Sequence, residues 1–159
     1  MAKIEFHKMH GLGNDFVIVD TRVQRFAVTP ALAAALADRH TGIGCDQFIV
    51  IGDSDAADLS MRIFNADGSE VEACGNATRC VVVLQGRSVS IETKGGLLDG
   101  QFGNVGISVN MGQPRFAWDE IPLAYPMDAS DLPLAWDAME HGICINVGNP
   151  HVVLFHESG

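Results

Sequence analysis

Residues 65–85 read NADGSEVEACGNATRCVVVLQ, and the second half of the stretch admits two backbone conformations. Ala77, Cys80, Val81 and Leu84 recur at the i, i+3, i+4, i+7 spacing of one helical face. Val81, Val82 and Val83 are β-branched and suit a strand as well. A short helix over 75–85 is the reading favoured here, entered from the turn-forming NADG at 65–68. Working outward, QFIVIG (47–52) and LSMRIFN (59–65) read as strands, as do SVSIETK (88–94), LLDGQFG (97–103) and VGISVNM (105–111). CINVG (144–148) and HVVLF (151–155) follow the same pattern. In IEFHKMHG (4–11), Ile4 and Phe6 alternate with polar neighbours as in a half-buried strand; GLGND breaks it and FVIVD (16–20) restarts as a more buried one. TPALAAALADRHTG (29–42) predicts the other helix, with Thr29 as cap, Pro30 in the first turn and Gly42 as stop. The chain is therefore β-rich with two helices, an α+β composition. MGQPRFAWDEIP (111–122), with two prolines, reads as a passage between lobes.

Size and charge narrow the functions. The 159 residues allow a real core. Twenty acidic against ten basic side chains give a net charge of −10, a poor match for nucleic acid or an anionic membrane surface. Residues 1–20 carry charges throughout and contain no apolar signal core, and no run reaches the ~18 apolar residues of a membrane span. A cytoplasmic protein is expected, with neither nucleic acid nor membrane as partner. Its cysteines, Cys45, Cys74, Cys80 and Cys144, are then expected as thiols.

Cys74 is the residue whose chemistry is open. No Cys-x-x-Cys pair exists, and nothing assembles four ligands, so no metal is expected. Six helical residues rise about 9 Å, too far for a Cys74–Cys80 bridge, which needs Cα atoms within about 7 Å. Cys80 falls on the apolar face as core packing. If the helix begins just after Cys74, its first N–H groups face the thiol, and a helix N-terminus favours a thiolate or a bound anion. Gly75 lets a ligand approach the backbone, and Asn76 adds a polar group. Those parts suit removing a proton from the α-carbon of an amino acid while its carboxylate sits where enolate charge grows. The spacing alone leaves an inert core cysteine equally open. Three more glycine-flanked polar segments accompany it. HGLGNDF sets Asn14 and Asp15 in a loop between strands, GIGCDQF sets Asp46 and Gln47 ahead of a strand, and VGNPHVV sets Asn149 and His151 at a strand entry. Asparagine and glutamine both donate and accept without charge, which suits the two ends of a zwitterion, although each segment by itself is ordinary turn chemistry.

In this order, HGLGNDF, TGIGCDQ, FNADGSEVEACGNATRC, ETKGG and VGNPHVV resemble the amino-terminal part of the diaminopimelate epimerases. The resemblance implies an enzyme without cofactor, an isomerase converting LL- to meso-diaminopimelate in lysine biosynthesis. It implies two similar lobes, each a curved sheet or barrel around a central helix: residues 1–112 as the amino-terminal lobe, and 113–159 as linker and incomplete start of the second. One cysteine from each lobe would face the α-carbon, one as thiolate and one as thiol. Cys74 matches the first of these. Asn14, Gln47, Asn65 and Asn149 match substrate-contacting positions, Gly75 and Asn76 the backbone seat, and His151 a histidine thought to influence the thiols. The family's later block, with a second Cys-Gly pair, has no counterpart in these 159 residues, and the connection from Cys80 to SVSIETK is short, so an abbreviated central helix and an inactive isolated chain are expected. A non-catalytic binding or assembly module, or an isomerase or racemase of another amino acid, are the alternatives. The edge near VVLF (152–155) also makes a homodimer one expected partner.

Overall fold

A computed structural model describes residues 3–136 and 139–155. It divides into two compact units, Met1–Asn110 and Met111–Gly159.

The first unit is one mixed sheet with two helices. Its strands are β1 (His7–Gly11), β2 (Asn14–Asp20), β3 (Gln47–Gly52), β4 (Leu59–Asn65), β5 (Glu70–Val71), β6 (Val89–Thr93), β7 (Gly96–Gly103) and β8 (Gly106–Asn110). The order across the sheet is β1-β2-β3-β4-β6-β7-β8, with β5 paired to β4. The pairs β2/β3 and β4/β6 are parallel and the others antiparallel. Helix α1 (Pro30–Ala37) packs on β3 and β4, whereas α2 (Gly75–Gln85) packs on β1, β7 and β8. A flat sheet would hold β1 and β8 about 29 Å apart. One helix touching both ends therefore requires the sheet to curl around it. Gly100 on β7 permits the approach, because a Cβ there would overlap the Val82 side chain.

Both faces of β2–β4 are buried. Val17, Val19, Phe48, Val50 and Phe64 join Ala33 and Ala37 of α1 and Cys45 in one cluster. Their alternates Phe16, Ile18, Ile49, Ile51, Met61 and Ile63 point to the opposite face and are equally buried. That two-sided burial is why FVIVD and QFIVI are continuous apolar runs rather than alternating ones.

The second unit holds β9 (Leu132–Trp136), β10 (Met139–Asn146) and β11 (Pro150–Val153) in the order β11-β10-β9. Ile121, Ala129, Leu132 and Cys144 form its small core.

Several expectations need correction. The first strand starts at His7, and Ile4 and Phe6 are 44% exposed, because they lie ahead of the β1–β2 pairing. Asn14 and Asp15 are not in a loop. Leu12 and Gly13 (φ 55° and 89°) make a two-residue hairpin turn, so Asn14 pairs with Gly11 as the first residue of β2. Helix α1 ends at Ala37, short of Gly42: the Asp38 carboxylate accepts from the N–H groups of His40 and Thr41 and turns the chain away. Thr29 and Pro30 do start that helix, the Thr29 hydroxyl accepting from Leu32 N–H. β5 (two residues) and β9 (LPLAW, interrupted by Pro133) are not among the strands read from the sequence.

Candidate functional site

α2 is a helix because its β-branched residues find a buried face: Ala77, Thr78, Cys80, Val81 and Val82 are covered, while Val83 is 46% exposed. Cys74 is its N-cap residue, in extended conformation, and the Thr78 N–H and hydroxyl both donate to the Cys74 carbonyl at 2.9 Å. The Cys74 side chain makes no capping hydrogen bond. The N–H groups of Gly75, Asn76 and Ala77 therefore have no intrahelical acceptor and form a short row of donors beside a half-buried sulfur. The β1–β2 hairpin lies against this row. A Cβ on Gly11 would come within 3.1 Å of Asn76 Cβ, so glycine there lets the hairpin close on the helix start.

That packing brings Asn14 to the sulfur: Cys74 Sγ donates to Asn14 Oδ1 at 3.7 Å. Asn14 Nδ2 donates at 3.1 Å to Asp46 Oδ2. Arg39 Nη2 bridges Asp15 Oδ1 (2.7 Å) and Asp46 Oδ1 (2.8 Å), and Lys8 Nζ reaches Asp15 Oδ2 at 2.7 Å. The Arg39 guanidinium, with Lys8 and Asp46, overcomes partial burial and holds the Asp15 carboxyl well below the usual carboxylate range.

A second polar chain stands at the same end of the sheet. Phe16 on β2 is opposite Gln47 on β3, and Gln47 opposite Asn65 on β4. Gln47 Nε2 donates to Asn65 Oδ1 (3.1 Å), Asn65 Nδ2 to Ser69 Oγ (3.1 Å), and the Ser69 hydroxyl to Asp67 Oδ1 (2.6 Å). The Ser69 hydroxyl and N–H hold the Asp67 carboxyl below its ordinary value. Gln47 Oε1 is buried and has no hydrogen-bond partner among the described residues. An orphaned buried carbonyl is costly unless something supplies a donor.

The remaining site candidates divide between the units. Asn76 lies in the first turn of α2, its Oδ1 taking the Arg79 guanidinium. Asn149 and His151 belong to the second unit, where His151 Nε2 pairs with Asn149 Oδ1 at 2.9 Å. Cys45, Cys80 and Cys144 are buried, and burial pushes each thiol up. Among the described residues no group of three His, Cys, Asp or Glu side chains is placed to hold a metal ion. Sequence reasoning passed over Arg39, Asp67 and Ser69 as site residues, and gave Asp46 no role beyond its place beside Gln47. The signal for Asp67 and Ser69 was the NADGS turn itself, where Asp and Ser side chains hydrogen-bond locally.

Residues 6–117 match the family model described as diaminopimelate epimerase. The chain belongs to the diaminopimelate epimerase family. The diaminopimelate epimerase of Zymomonas mobilis is 60% identical over 149 residues, covering 93% of this chain and 55% of that protein. That of Rhizorhabdus wittichii is 60% identical over 154 residues, covering 96% and 56%. The chain thus spans about half the length of the family members it matches. Two solved structures share the fold. A phenazine biosynthesis protein of the PhzF family from Bacillus anthracis superposes with TM-score 0.62 at 22% identity, over 97% of this chain and 56% of that one. A hydroxyproline epimerase from Agrobacterium vitis gives 0.66 at 12% identity, over 95% and 51%. The family's curved sheet around a central helix, an α+β fold, is the architecture of residues 7–110 here.

Proposed function

We propose that this chain supplies one acid–base thiol, Cys74, to a cofactor-independent isomerase that interconverts LL- and meso-diaminopimelate. The observation that carries the reading is the half-buried Cys74 sulfur beside the open N–H groups of Gly75, Asn76 and Ala77, in a chain of this family. The substrate carboxylate accepts from those N–H groups, and its α-carbon stands at the sulfur. When a thiolate takes the α-proton, the C–H pair moves into the carboxylate as an enediolate, and the backbone donors meet that growing charge. Inversion requires a second thiol that delivers its proton to the opposite face. Cys45, Cys80 and Cys144 are buried in the cores and do not serve.

Gln47 Oε1, buried without a partner among the described residues, suits an ammonium N–H of the substrate, with Asn65 beside it. By their match to family positions, Asn149 stands as a substrate contact and His151 as a histidine that influences the thiols. The lobe boundary near residue 112 and a cytoplasmic setting, in keeping with four unbridged cysteines, belong to the same reading. Among the described residues no helix is long and apolar enough to cross a membrane. β11 is exposed along its length, which favours self-association of this chain; a monodisperse monomer by light scattering at high concentration would count against it.

The experiment is stereoinversion of LL-diaminopimelate by purified residues 1–159, read by chiral chromatography, with Cys74→Ser alongside. No inversion is expected from either protein. Turnover comparable to an intact epimerase, abolished by Cys74→Ser, would keep the substrate and refute the need for a second thiol; turnover untouched by Cys74→Ser would remove Cys74 from the mechanism.

A further inference from the structure

Asp46 is acceptor-only when ionised, and its two oxygens are divided. Oδ1 takes Arg39 Nη2, and Oδ2 takes both the Asp15 backbone N–H (2.9 Å) and Asn14 Nδ2 (3.1 Å). An amide has one donor end and one acceptor end. Once Nδ2 of Asn14 is committed to a carboxylate, only Oδ1 is left for the sulfur, and Cys74 Sγ lies 3.7 Å from it. Were the amide turned over, Oδ1 would meet the Asp46 carboxylate and Nδ2 the sulfur: two acceptors would face each other at one end, and a donor would face the thiol at the other. The anchor is itself held. Asp46 N–H donates to Asp15 Oδ1 at 2.9 Å, so the Asp15 and Asp46 carboxylates each accept from the other's backbone N–H, with Arg39 across both.

We propose that Asp46 is a positioning residue that fixes which end of the Asn14 amide faces Cys74, so that in the unliganded chain the sulfur meets the accepting carbonyl and not the amide N–H. The inference rests on the reading of Cys74 as an acid–base thiol. An accepting carbonyl serves S–H whereas a donating N–H would serve S⁻, so the orientation of the amide bears on how readily the sulfur reacts.

The test is the rate of Cys74 alkylation by iodoacetamide at fixed neutral pH, mapped by mass spectrometry. Cys45, Cys80 and Cys144 are buried and report in the same spectrum whether the fold is intact. Asp46→Ala releases the amide and is expected to speed Cys74 alkylation about fivefold, the equivalent of one hydrogen bond. Asp46→Asn removes the charge but keeps an acceptor oxygen, and Arg39→Ala removes the ion pair but keeps the carboxylate; both are expected within about twofold of the parent. Asn14→Ala is expected to raise the rate as well, and on that background Asp46→Ala adds nothing further.

Asp46→Asn as fast as Asp46→Ala would mean that charge alone acts, and would overturn the proposal, as would an unchanged rate in Asp46→Ala. Should Asp46→Ala expose the buried cysteines, Asn14→Ala decides by itself: a rate equal to the parent refutes the relay. Alkylation reads the relay whether or not the chain inverts diaminopimelate, so its failure is separate from failure of the turnover experiment.

Discussion

The middle and the end of the same three strands behave as different materials. In the middle of β2, β3 and β4, Val17, Phe48 and Phe64 on one face, and Phe16, Ile49 and Ile63 on the other, are buried to 1% exposure or less. Directly next along the chain, at one end of those strands, stand Asn14, Asp15, Asp46, Gln47 and Asn65, each tied by hydrogen bonds to a neighbour. The middle is held by contact area, which has no direction. The end is held by donor–acceptor order, which does, and two carboxylates that can only accept, Asp46 and Asp67, set that order. One chain ends on a thiol; the other ends on a carbonyl without a hydrogen-bond partner among the described residues.

Changes at each place should separate along this line. The largest effect belongs to the slab: Phe48→Ala is expected to cost about 3–5 kcal/mol in denaturant unfolding. A loss below about 1 kcal/mol would mean the two-sided core is not what holds the strands. Next is acid sensitivity at the polar end. Asp15 sits below the usual carboxylate value when folded, so its contribution is complete above the unfolded value of about 3.9 and is lost as pH falls beneath it. Asp15→Asn should flatten the fall of stability with acidification below about pH 4, and an unchanged slope would show that the pairing with Arg39 and Lys8 contributes nothing measurable. Ser69→Ala breaks the link between Asp67 and Asn65 and should lower stability by about 1 kcal/mol. Smallest of all is Gln47→Met. Its Oε1 has no partner among the described residues, so the loss is that of the Nε2 bond to Asn65 alone and is expected to stay within about 1 kcal/mol in thermal unfolding. A cost above about 2 kcal/mol would show that more than the Asn65 bond is lost.

Much of this arrangement was legible along the chain. FVIVD and QFIVIG read as buried strands, Thr29-Pro30 as a helix start, and the Ala77–Leu84 spacing as a helix despite three consecutive valines. These are local signals, in which period and propensity agree with the final packing. Asn14 was misread as a loop residue because Leu12-Gly13 makes the tightest hairpin turn, and turn residues do not announce how soon the next strand begins. The end of α1 was misjudged because Asp38 uses its side chain as the stop, four residues before the glycine.

By itself the sequence determined the strand-rich class, the two helices, the family and the candidacy of Cys74. The tertiary structure alone decided that the sheet curls until β1 and β8 both reach α2, that Gly11 meets Asn76, and that Asp46 and Asp67 order the amides around the sulfur and the open carbonyl. The physical reason is range. Periodicity and capping act within a turn or two of chain, whereas the orientation of an amide depends on which acceptor stands opposite it, here 32 residues away in the case of Asn14 and Asp46.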